Sequence, residues 1–202
     1  MTARNEYALI TGASAGLGAE FARQLAAAGQ NLILVARRED RLSALAEELR
    51  AAHKIDCQLI VADLNEPGAG AQISSICMSS GWQVSWLVNN AGVAGPDLLK
   101  DRDWAAQQTF FQLMMLSVAD LCHRMIPNMV ERGYGRVINV ASVAARVPRS
   151  GGCNYGPAKA YLVALSEELN LTVAAQGVHV SALCPGFTHT EFHETAGLMD
   201  MK

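Results

Sequence analysis

Six short apolar runs, separated by stretches long enough for helices, constrain this chain more than any other feature. They occupy residues 7–11, 31–36, 57–63, 86–90, 136–142 and 178–186. Several, such as LILV and LIV, are apolar on both faces instead of alternating. That pattern belongs to parallel strands covered by helices on either side. Between the runs lie helical patterns, among them LGAEFARQLAAAG, DRLSALAEELRAAH and residues 103–131 and 155–175. Alternation of this kind, joined by right-handed crossovers, predicts an α/β doubly wound parallel sheet with helices on both faces. No internal repeat, low-complexity segment or linker interrupts it, so residues 1–202 read as a single domain.

Composition excludes several classes. Half of the 202 residues are hydrophobic and 17% are charged, which suits a globular core. A net charge of −3 offers no basis for a nucleic-acid partner. The five cysteines (Cys57, Cys77, Cys122, Cys153 and Cys184) form no C-x-x-C pair, which points to a reducing compartment instead of a disulfide framework. The N-terminus lacks signal-peptide character, and no run approaches the roughly 18 apolar residues of a membrane span. The expectation is a cytoplasmic protein that binds no membrane. His189 and His193 flank Glu191, but HTEFH lacks the H-E-x-x-H arrangement, so no metal is expected there.

Sites in such a sheet lie beyond the carboxyl ends of the strands. TGASAGLG, the arginines at Arg37 and Arg38, Asp63, NNAG, Ser142 and PGFTHT all follow predicted strands. In TGASAGLG, residues Gly12, Ser14, Gly16, Leu17 and Gly18 would let backbone N–H groups and a helix N-terminus meet a pyrophosphate. An ordinary tight βα turn is the competing reading. At residues 154–159, NYGPAK, Asn154 is placed as a helix cap with Pro157 in the first turn. Tyr155 and Lys159 then share one helix face, as a surface pair or as a proton-transfer device.

Taken together, TGASAGLG, NNAG at residues 89–92, Ser142 thirteen residues before Tyr155, Y-G-P-A-K, and Pro185-Gly186 with Thr188 and Thr190 carry a resemblance. Over nearly its whole length the chain resembles the short-chain dehydrogenase/reductase family. The resemblance implies a Rossmann fold and a nicotinamide-dependent oxidoreductase. It assigns catalysis to Ser142, Tyr155 and Lys159, with Lys159 also holding the nicotinamide ribose. It gives cofactor contacts to the glycine turn, to Asn90, Ala91 and Gly92, and to Pro185, Gly186, Thr188 and Thr190. Asp63 would meet the adenine ring and Leu64 would add a backbone contact. The helices near residues 103 and 155 would form a homodimer or homotetramer.

The chemistry agrees with that assignment. Reducing a carbonyl requires an acid, and a free phenol near pKa 10 is poorly matched to neutral pH. Lowering it by about 3 units needs roughly 4 kcal/mol. A cation about 4 Å away supplies a similar amount at an effective dielectric of about 20. Lys159 is therefore expected to depress the Tyr155 phenol, while Ser142 polarises the substrate carbonyl. No acid ends the second strand, and guanidinium suits a 2′-phosphate, so NADP is the expected cofactor, with Arg37 as its main contact and Arg38 beside it. A solvated cluster with Glu39 and Asp40 is the alternative.

Two departures from the family pattern stand out. Family members usually carry an asparagine thirteen residues before a proline resembling Pro127, where this chain has Met114. A methionine side chain cannot relay protons, so slower proton resupply is expected unless a local kink frees the Met114 carbonyl. The resemblance also implies a further strand and helix after PGFTHT, whereas this sequence stops at Met201-Lys202; it is expected to be a fragment or to end its sheet early, which would leave the strand near residue 178 as an open edge. Val143, Ala144, Cys153 and Phe187 suggest a partly apolar substrate pocket, and Arg146 and Arg149 are expected to face water. The expected function is hydride transfer between NADP(H) and a small-molecule carbonyl or secondary alcohol. The alternatives are an NADP-binding regulatory or scaffold protein, or a dehydratase or epimerase on the same scaffold.

Overall fold

In the computed structural model, residues 5–148, 153–186 and 188 are described. Six strands, β1 (Glu6–Thr11), β2 (Asn31–Ala36), β3 (Cys57–Val61), β4 (Gln83–Asn89), β5 (Gly135–Val140) and β6 (Val178–Leu183), form one parallel sheet. Their order is β3-β2-β1-β4-β5-β6. The helices are α1 (Gly16–Ala27), α2 (Glu39–His53), α3 (Ala69–Ser79), α4 (Trp104–Phe111), α5 (Ser117–Glu131) and α6 (Tyr155–Val173). A π turn over Gln112–Leu116 joins α4 to α5 without a break. The expected doubly wound α/β sheet is present. Among the described residues no helix is long and apolar enough to cross a membrane.

Successive residues on each strand feed two separate cores, which explains runs apolar on both faces. Leu9, Ile33, Val35, Leu87 and Val137 pack with Ile73, Leu121, Met129 and Leu162 from α3, α5 and α6. Ala8, Ile10, Leu32, Leu34 and Val88 pack with Ala22, Ala26, Leu42 and Leu49 from α1 and α2. Helix α3 had no signal of its own in the sequence. AGAQISSICMS is rich in small and hydroxyl residues and bears no charge, so it reads like a loop until tertiary burial of Ile73 and Cys77 decides it.

Strand order reverses at β1, which pairs with β2 on one side and β4 on the other. Beyond the carboxyl ends of β1 and β4 lies the crevice where such sheets take ligands. A buried polar chain fastens the neighbouring strands to α6. Asn89 and Asn139 are register partners on β4 and β5, and Asn89 Nδ2 donates to Asn139 Oδ1 at 2.9 Å. Asn139 Nδ2 donates to Ser166 Oγ at 2.9 Å, and Ser166 Oγ donates to the Leu162 carbonyl at 2.6 Å.

Removing Asn139 would strand amide and hydroxyl groups in a dry interior. Asn139→Ala is expected to destabilise the fold by about 2–3 kcal/mol, read as a lower urea midpoint at unchanged m-value. A loss below about 0.5 kcal/mol would show that the chain of amides is not a structural tie.

Candidate active site

The glycine-rich turn fits a close-approaching ligand because side chains are excluded from it. Gly12 adopts φ +66°, and a Cβ on Gly18 would lie 2.3 Å from the Gly12 carbonyl oxygen. The first turn of α1 carries no acidic residue, and its cap residue Ala15 brings no side-chain acceptor. Its N–H groups therefore face the turn as anion donors. Thr11, which sequence reasoning passed over, locks this turn to the next one. Its Oγ1 accepts the N–H groups of Asn90 and Ala91 at 3.0 and 3.1 Å, and Asn90 Nδ2 donates to the Thr11 carbonyl at 3.0 Å. A threonine ending a buried strand and followed by glycine was the available signal.

The two arginines after β2 turn to different partners. Arg38 Nε and Nη2 donate to Ser14 Oγ at 3.2 and 3.0 Å, which lays that guanidinium over the glycine turn. Arg37 instead pairs with Asp63 across 3.6 Å. The other Asp63 oxygen accepts from the Asn65 N–H and side-chain amide, and Leu64 is buried beside it. Arg38, more than Arg37, is thus the cation held beside the phosphate-sized turn.

Ser142, Tyr155 and Lys159 come together at the end of β5. Ser142 Oγ accepts the Ala144 N–H at 3.1 Å, and the Ser142 hydroxyl lies close enough to the Tyr155 phenol to act on its proton affinity. Lys159 is 4% exposed, and its ammonium donates to the Val140 carbonyl at 2.6 Å. That ammonium lies 5.6 Å from the centroid of the Tyr155 ring, over its face.

This placement corrects one expectation. The Tyr155 phenol is not depressed here; burial holds it above its ordinary value, the Ser142 hydrogen bond offsets part of that, and Cys153 raises it further. The cation meets the ring face and does not sit on the hydroxyl. Tyr155 is consequently a loaded acid at neutral pH. Burial also pulls the Lys159 ammonium down to about 8, with nearby Cys184 acting in the opposite direction.

Asn154 stands at the start of α6 but does not cap it with its side chain. Its Nδ2 instead donates to Gln107 Oε1 on α4 at 3.2 Å. Gln107 is 1% exposed, and its Nε2 has no hydrogen-bond partner among the described residues. The helix carrying the tyrosine is therefore set against α4 by an amide pair that the sequence did not reveal.

The loop after β6 stitches back onto the serine. The Ala141 N–H donates to the Leu183 carbonyl at 2.7 Å and the Val143 N–H to the Pro185 carbonyl at 3.0 Å, bracketing Ser142. Gly186 and Thr188 follow, with Thr188 Oγ1 donating to the Gly186 carbonyl at 3.2 Å. Thr190, Phe187, Arg149 and the histidines at 189 and 193 lie outside the described residues. Arg146 pairs with Glu167 at 3.2 Å on the surface, as expected of a residue facing water. Met114 sits inside the π turn, so the local irregularity named as a condition for its carbonyl is present.

The sequence profile described as short chain dehydrogenase matches residues 6–200. The chain belongs to the short-chain dehydrogenase family. It is 34% identical to sulfoacetaldehyde reductase 2 of Chromohalobacter salexigens, covering 93% of this chain and 75% of that one. Among solved structures, a short-chain dehydrogenase from Sphingobium yanoikuyae in complex with NADPH superposes with a TM-score of 0.89. It is 34% identical, covering 95% of this chain and 75% of its own. L-sorbose reductase from Gluconobacter frateurii, complexed with NADPH and L-sorbose, gives 0.85 at 29% identity, covering 91% and 70%. The chain is therefore an oxidoreductase of that family.

Burial of Lys159 has a measurable signature. Between pH about 8 and 10.5 the unfolded chain holds this proton while the folded chain has lost it, so the contribution of Lys159 to stability climbs with pH across that window and is flat below it. At about 1.4 kcal/mol per unit the full rise is about 3 kcal/mol. The buried Cys57, Cys77 and Cys122 thiols, raised by burial, lower stability above pH about 9, so the Lys159 contribution is expected as a climb in the difference between the urea-unfolding profiles of the parent and Lys159→Met. A parallel pair of profiles would mean that the lysine keeps its ordinary affinity for protons.

Proposed function

We propose that this chain is an NADP(H)-dependent reductase of ketones or aldehydes, running the reverse oxidation of secondary alcohols on the same residues. The observation that carries this reading is the Tyr155 phenol set beside the Ser142 hydroxyl with the Lys159 ammonium over the ring face, beside the crevice between β1 and β4. NADPH supplies the hydride when bound. Ser142 and Tyr155 present neighbouring hydroxyls, so a single carbonyl oxygen can meet both. Ser142 polarises that oxygen, and Tyr155 delivers the proton as negative charge builds there. Burial of the phenol favours its protonated form, which suits reduction at neutral pH.

Gly12, Gly16, Leu17 and Gly18 would cradle the pyrophosphate, and Asn90, Ala91 and Gly92 would line the ribose side. Ser14 and Arg38 would take the 2′-phosphate, with Arg37 and Asp63 at the adenine edge beside Leu64. Pro185, Gly186, Thr188 and Thr190 would close over the nicotinamide. Lys159 would hold the nicotinamide ribose. Two of the solved relatives carry NADPH, which supports this cofactor. Trp104, Leu116 and Leu171 are exposed along α4, the π turn and α6 (Leu171 is 82% exposed), which supports a homodimer or homotetramer through these helices.

Incubation with aldehydes and ketones, following loss of reduced-nicotinamide absorbance with NADPH and NADH, tests the assignment. Turnover is expected with NADPH, and Tyr155→Phe should lower kcat by about 10³-fold while leaving NADPH affinity near the parent value. Arg38→Ala should raise KM for NADPH about tenfold without changing that for NADH, and Arg37→Ala should do less. Alcohol oxidation should climb toward alkaline pH, where Tyr155 loses its proton, while reduction holds steady near neutrality. Tight NADPH binding with no oxidation by any carbonyl would instead support a regulatory NADP-binding protein.

A further inference from the structure

Met114 occupies the position at which the family resemblance calls for an asparagine, and the structure shows what its side chain does there. It is 1% exposed. Its Sδ accepts the Val93 N–H at 3.3 Å. The same sulfur lies 3.2 Å from where a Cβ on Gly92 would stand, so it packs directly on the back of residues 90–93. Thr11 Oγ1 takes the Asn90 and Ala91 N–H groups of that turn from the opposite side. The turn is thus pinned twice, by a hydroxyl at the end of β1 and by a thioether in the helix.

The π turn is what lets the sulfur reach. Within Gln112–Leu116 the Ser117 N–H donates to the Gln112 carbonyl, five residues back, in place of the usual four. Ser117 Oγ donates to the Leu113 carbonyl at 2.7 Å. Met114 lies within this turn, and its sulfur meets the segment just after β4.

We propose that Met114 is a positioning residue: its thioether stands in for an amide oxygen, accepting the Val93 N–H and seating the turn that lines the cofactor's ribose side. A thioether is a weak acceptor, but the Val93 N–H is partly buried and loses its partner without it. The inference rests on the functional reading above only where NADPH is concerned, since the hydrogen bond exists in the protein alone.

Met114→Leu and Met114→Asn separate this role from simple packing. Leucine preserves volume and removes the acceptor, whereas asparagine loses volume and restores an acceptor. Amide hydrogen exchange in the cofactor-free protein is expected to speed up at Val93 by about tenfold in Met114→Leu and to stay near the parent rate in Met114→Asn. NADPH affinity, read by fluorescence titration, should weaken about fivefold in Met114→Leu with kcat at saturating cofactor unchanged, and Met114→Asn should bind as the parent does. The reverse pattern, a benign leucine and a damaging asparagine, would overturn the proposal and leave Met114 as core filler. Parent protein that failed to bind NADPH would remove the functional reading, while the exchange contrast at Val93 would still decide the role of the sulfur.

Discussion

A nearly waterless ammonium is the constraint around which the rest of this molecule is arranged. Lys159 is tolerated at 4% exposure because β5 ends beneath it and offers the Val140 carbonyl. A cation in such surroundings must be hydrogen-bonded or give up its proton. Both tendencies are visible: the bond to Val140 is short, and burial lowers the proton affinity. Two turns further along α6, Ser166 is tied to Asn139 on the same strand. The helix is therefore fixed to β5 at two heights, and Tyr155 at its start inherits that registration.

The second organising element is the reversal of strand order at β1. There the sheet opens a crevice, and the chain fills its rim with turns that lean on one another. Thr11 holds the turn after β4, Asn90 returns the favour by bonding to the Thr11 carbonyl, and Met114 closes the far side. None of these contacts is strong alone. Their value lies in sharing one short segment, whose backbone would otherwise be free to move in front of a bound dinucleotide.

Much of this was legible in the sequence, for reasons that can be traced to particular residues. Strands such as LILV and LIV announced themselves because both faces are buried, and TGASAGLG, NNAG and Y-G-P-A-K announced the site because spacing along a chain survives folding. Directions of side chains do not. Arg37 and Arg38 are adjacent, and nothing in the sequence says which one turns to Ser14 and which to Asp63. The same blindness misplaced the cation at Lys159, whose helical spacing from Tyr155 was right while its approach to the ring face left the phenol raised. Asn154 was correctly put at a helix start but spends its side chain on Gln107, forty-seven residues away. Met114 was visible as a break in the motif, whereas its partner at Val93 was not.

The backbone on either side of Ser142 is held by β6 and the segment just after it, through Leu183 and Pro185. Among the described residues β6 pairs on one side only, with β5. Outer strands are the first to breathe in a sheet, since half of their ladder is missing. The steadiness of the serine is therefore borrowed from one of the two strands that, among the described residues, have a neighbour on one side only. Anything that braces that margin also sharpens the aim of the hydroxyl.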